Sequence, residues 1–74
     1  MVIKGVILQV METWPLQVIV QVGPARHHVN LSEGTAILRQ DRETGAGELR
    51  PGANVEISGQ TSGTTFTADS VRIL

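Results

Sequence analysis

The sequence predicts an all-β chain folded as a small antiparallel barrel of five or six strands. Valine, isoleucine and threonine are abundant, and apolar residues recur mostly at every second position, the period of a strand with one buried face. Eight glycines punctuate the chain, several where a tight turn would sit. No apolar stripe at helical spacing runs for a useful length.

The first strand is expected over roughly Ile3 to Met11. Val6, Leu8 and Val10 form one face and set the core phase; Ile3, Gly5, Ile7 and Gln9 form the other. A glycine inside a strand marks a bend or a close backbone approach, so Gly5 is the candidate for the coil that lets this strand serve both sides of a barrel. Next comes PLQVIVQVGPARHHVNL. A two-residue turn at Gly23-Pro24, with glycine at the positive φ of a type II′ turn, pairs Val22 with Ala25. Val20 then faces His27, Val18 faces Val29 and Leu16 faces Leu31, while Gln21, Ile19 and Gln17 meet Arg26, His28 and Asn30 on the opposite side. A slip of one residue would destroy this sorting.

A further turn is expected at Ser32 to Gly34 and a fourth strand from Thr35 to about Gln40. DRETGAGELRPG then reads as a polar loop, with Leu49 plugging the barrel end and room for a short extra hairpin around Gly45 to Gly47. The Pro51-Gly52 corner leads into a strand with Val55 and Ile57 inward. A turn at Ser62-Gly63 would pair Gly59 with Phe66, placing the ring across bare backbone. After Ala68 the apolar phase slips to Val71 and Ile73, which a β-bulge at Asp69 or Ser70 would repair. No internal repeat or linker is evident, so residues 1–74 are read as one domain.

This pattern resembles the small OB-fold-like β-barrel domains of unknown function found in bacterial proteins. KGVILQV, PLQVIVQV, VNLSEGTAIL, LRPGANVEISG and TFTADSVRIL carry the resemblance over nearly the whole chain. It implies an OB-like barrel and transfers no catalytic or binding residue. LRPGANVEIS also looks like a corner segment of molybdate-binding small barrels. The serine, alanine, arginine and asparagine run near the start of those domains is missing, as is a lysine before the final serine.

Totals narrow the function. Six basic residues against seven acidic ones give a formal charge of −1, scattered along the chain and leaving no basic footprint. Without cysteine there is no disulfide framework or thiolate metal site, which suits a cytoplasmic setting. The start has no apolar run of the ~20 residues a membrane span needs, and it is not read as a signal peptide. His27 and His28 are adjacent on a strand and point to opposite faces, so they cannot grip one metal ion together. No serine, histidine and acid fall in a recognisable nucleophile arrangement, and a barrel this small leaves little room for a deep pocket. The expectation is therefore a non-enzyme without cofactor or metal.

Two surfaces remain as candidates. Ile3, Ile7, Met11, Ile19 and Leu74 fall off the assumed core phase; if they cluster they form an apolar interface for a protein partner or a second copy. The face of Gln17, Ile19, Gln21, Arg26, His28 and Asn30 is where OB barrels bind single-stranded nucleic acid. There Arg26, His28 and Trp14 would be the ligand contacts, with Trp14 read either as a lid on the barrel end or as part of a binding surface. The expected function is an interaction or assembly module that self-associates as a homo-oligomer. A weak single-stranded nucleic-acid binder is the alternative, and an oxyanion-binding barrel the third reading.

Overall fold

A computed structural model describes residues 1–13, 16–63 and 65–74. Six strands follow in order: β1 (Val2–Met11), β2 (Leu16–Val22), β3 (Ala25–Arg39), β4 (Arg42–Thr44), β5 (Asn54–Ser62) and β6 (Thr65–Ile73). Five of them close a ring, β1-β2-β3-β6-β5 and back to β1, and β4 is appended to the end of β3. This is an all-β OB-like barrel. Among the described residues the only helical element is a short 3-10 turn at Ala46–Glu48.

The β2–β3 hairpin has the register that apolar sorting dictates, from Val22 opposite Ala25 to Leu16 opposite Leu31. Gly23 supplies the left-handed turn position with φ 57°. Val18, Val20, Val29 and Leu31 are buried as a result.

β1 departs from the expectation. Ile7 pairs with Val20 and Gln9 with Ile19, leaving Leu8 as an extra residue, a bulge that reverses the alternation. Before the bulge the odd residues Ile3 and Ile7 face inward, and after it Val10 packs on the core. Ile3 and Ile7, expected at a surface interface, are instead core residues at 6% and 1% exposure, while Leu8 is 40% exposed. Gly5 fulfils its expected role. A Cβ there would strike the Gln21 carbonyl oxygen and stand 2.8 Å from Val20 Cγ1, so only glycine lets β1 pass close to β2 while pairing with β5.

β3 is a second departure. It continues through Ser32 to Gly34 as one strand of 15 residues, and Gly34 does not take a left-handed φ, so no chain reversal forms there. The segment bows outward instead: residues 32–35 stand opposite Asp69 of β6. The Thr35 hydroxyl holds this bow, donating to the Ala68 carbonyl at 2.7 Å and accepting from the Ser32 N–H at 2.9 Å. The β3–β6 pairing is parallel, whereas the other five pairings are antiparallel. The extra hairpin lies earlier than expected, at Gln40 and Asp41, joining β3 to β4.

In β5–β6, Ser62 faces Thr65 and Gly59 faces Ala68 rather than Phe66, a shift of two residues from the expected register, which keeps the same inward face. Asp69 is the bulge residue between Gly59–Ala68 and Ser58–Ser70. Leu49 is buried at 5%, plugging the barrel end. Behind it the Pro51-Gly52 corner is tied to β1: Ala53 N–H donates to the Arg50 carbonyl at 3.1 Å and Gly52 N–H to the Ile7 carbonyl at 2.7 Å. Gly52 has φ 92°, as the third position of a type II turn requires.

Candidate functional site

The pairing partners define the outer face of the barrel row by row. One row runs Val6, Gln21, Arg26; the next runs Gln9, Ile19, His28. A third runs Met11, Gln17, Asn30, Thr67, Gln60 across all five barrel strands. Their inward neighbours Val18, Val20, Val29, Phe66 and Ala68 are buried, so strand alternation turns these residues outward.

This face is rich in amides and poor in charge. Gln9, Gln17, Gln21, Asn30 and Gln60 lie on it, and Arg26 is the sole arginine or lysine in the three rows. Gln21 folds its amide onto the hairpin turn, donating to the Gly23 carbonyl at 2.6 Å. Ile19 and Met11 are half-buried among these groups, whereas Arg26 and His28 are exposed. His27 is half-buried at the edge of the inner face, and the two imidazoles are on opposite sides of β3 as strand geometry demands.

The expected sites are therefore only partly assembled. Arg26 and His28 stand two positions apart on one strand, and Ile19 lies directly across from His28. Met11 belongs to the neighbouring row. Leu74 does not join them: its N–H donates to the Asn54 carbonyl at 2.9 Å, which places it beside β5, on the other side of β1 from Ile19. Trp14 lies outside the described residues.

Sequence reasoning missed two open clefts at the end of the barrel. One, of about 580 Å³, is lined by Val10, Glu12, Leu16, Leu49, Arg50 and Pro51. The other, of about 450 Å³, is lined by Arg39, Glu48, Arg50, Ala53, Ile73 and Leu74. Both flank the segment Glu48 to Pro51, whose only sequence signal was the length and polarity of the loop containing it. Arg39 Nη1 and Glu48 Oε2 are 2.7 Å apart across the second cleft.

No group of three or more histidine, acidic or cysteine side chains able to hold a metal occurs among the described residues. No described helix is long and apolar enough to cross a membrane.

No protein-family model and no curated protein matches the chain. Two solved structures share its fold. A full-length MCM homolog from Methanopyrus kandleri is 28% identical, with a TM-score of 0.73 over the whole of this chain and 14% of its own length. A structure of Ag(I)CusF is 10% identical, with a TM-score of 0.76 over the whole of this chain and 96% of its own. The chain is thus similar to one small part of the first protein and to nearly all of the second. At 10% identity the likeness to the second concerns the fold alone.

Proposed function

We propose that this barrel is a non-enzymatic interaction module working through the outer face of β1, β2 and β3, with another protein or a second copy of the chain as its partner. The observation supporting this is Ile19 and Met11, half-buried within a field of amides that carries one permanent cation. Interface cores are depleted in charge, and amides both donate and accept hydrogen bonds, so such a surface complements a neutral protein face or its own copy. Light scattering at micromolar concentration tests the self-associating form. A mass above 8.0 kDa that falls on Ile19→Glu is expected; a monodisperse monomer rejects self-association.

A second reading is favoured by the likeness to part of the MCM homolog and by Arg26 and His28 on adjacent outward positions of β3. Here the face binds single-stranded nucleic acid. Phosphate tracking wants clustered cations and bases want aromatic platforms, and Arg26 and His28 supply one of each. Binding is then weak, seen at low salt, reduced as salt rises and lost in Arg26→Ala. No binding at low salt ends this reading.

A further inference from the structure

We infer that the barrel end around Glu48 to Pro51 is a binding site for a small amphipathic oxyanion, a phosphate or carboxylate carried on a flat apolar body. This site is separate from the outer face of β1, β2 and β3. Along Glu48, Leu49, Arg50 and Pro51 the chain divides two chemistries. Val10, Leu16, Leu49 and Pro51 give the larger cleft its apolar lining, the smaller one sets Arg39, Arg50 and Glu48 beside Ala53, Ile73 and Leu74, and Arg50 belongs to both. Their volumes of about 580 and 450 Å³ fall in the range of small-molecule sites.

The charges are arranged to receive an anion. Arg39 stands directly opposite Arg42 across the β3–β4 hairpin, a like-charge pair that destabilises when uncompensated. Glu48 reaches Arg39 Nη1 at 2.7 Å, and among the described residues neither Arg42 nor Arg50 has a carboxylate partner. A guanidinium presents five donors in a planar fork. The bond to Glu48 engages one nitrogen of Arg39 and orients the group, leaving its other donors and the whole of Arg50 for an incoming oxyanion.

The two clefts also fix the direction of binding. Each cleft has one acid in its lining, but Glu12 stands against Arg50 alone in the apolar cleft, whereas in the smaller one Glu48 is engaged by Arg39 at 2.7 Å and stands against two arginines, leaving an excess of one positive charge. The charged end therefore belongs between Arg39 and Arg50, with the apolar body lying toward Leu49 and Pro51.

The experiment is a titration of nitrogen-15-labelled protein, followed by amide resonances, with phenyl phosphate, benzoate, inorganic phosphate and benzyl alcohol. Phenyl phosphate or benzoate is expected to move the resonances of Arg39 and of residues 47–53. The tighter of the two identifies the oxyanion. Inorganic phosphate and benzyl alcohol should each bind about tenfold more weakly, because each lacks one half of the recognition. Arg50→Gln should weaken the tighter ligand by about tenfold or more, the loss expected for one charge-assisted hydrogen bond, and Arg26→Gln should leave it unchanged. No response to either aromatic anion overturns the inference. So does inorganic phosphate binding as tightly as phenyl phosphate, or an equal loss in Arg26→Gln.

Discussion

Phe66 and Gly59 fit together across the β5–β6 hairpin as ring and bare backbone: a Cβ on Gly59 would stand 2.9 Å from Phe66 Cε1 and collide with the Thr67 carbonyl oxygen. Both residues are buried, Phe66 at 3% exposure. Gly59→Ala must therefore move backbone as well as the ring. It is expected to cost about 1–3 kcal/mol, as overpacking does, and Phe66→Ala about 3–5 kcal/mol by leaving a cavity. Urea midpoints at constant m-value measure both, and an unchanged midpoint for Gly59→Ala would contradict the close fit.

Ile7 and Ile19 share a sequence character and differ in fate. Ile7 is 1% exposed, so Ile7→Ala should cost about 2–5 kcal/mol and Ile7→Glu should prevent folding. Ile19 lies on the outer face, so Ile19→Glu should keep native circular dichroism and change only association. Unfolding by both glutamate variants would show that Ile19, too, supports the core.

Gln40 and Asp41 hold φ of 54° and 61°, the left-handed pair of a two-residue hairpin turn occupied by residues that adopt it at a cost. Asp41→Gly should raise stability by about 0.5 kcal/mol or more, whereas Gly23→Ala, at φ 57°, should lower it by about 1 kcal/mol. Thermal melts of the two variants should move in opposite directions.

Lys4 Nζ and Glu56 Oε2 approach to 3.5 Å with side chains 69% and 26% exposed. Water screens such a pair, so Lys4→Met should change unfolding free energy by no more than about 0.5 kcal/mol. A larger loss in low-salt denaturation would give this ion pair a structural weight that its exposure does not.

The β2–β3 register was legible because both partners alternate without interruption and the Gly23-Pro24 turn admits one geometry. The Asp69 bulge was legible because apolar residues lie on either side of the slip. The bulge at Leu8 was hidden: Leu8 is itself apolar, so the alternation Val6, Leu8, Val10 continues unbroken in the sequence although the backbone reverses beneath it. That error moved Ile3 and Ile7 from the core to an imagined surface. Ser32 to Gly34 reads as a turn by composition, but the Thr35 hydroxyl satisfies the local backbone and the strand runs on. The outward positions of Arg26 and His28, in neighbouring rows, followed from the register. The clefts did not, because Arg39, Glu48 and Arg50 are brought together by the β3–β4 hairpin and the 3-10 turn, neither of which has a periodic signature.

The parallel seam between β3 and β6, together with the β1–β5 seam, also bears on how the molecule assembles in time. Each hairpin joins strands that follow closely in the chain, but the β3–β6 seam joins Val29 to Phe66 and Arg39 to Ile73, more than thirty positions apart, and the β1–β5 seam joins Val2 to Ser58 and Val6 to Asn54, more than forty apart. Loop entropy must be lost before those contacts return anything, so ring closure is the step expected to limit the folding rate. Substitutions at Phe66 or Val71 should slow refolding, whereas changes in the β3–β4 turn should act mainly on unfolding, since β4 joins a ring that is already shut.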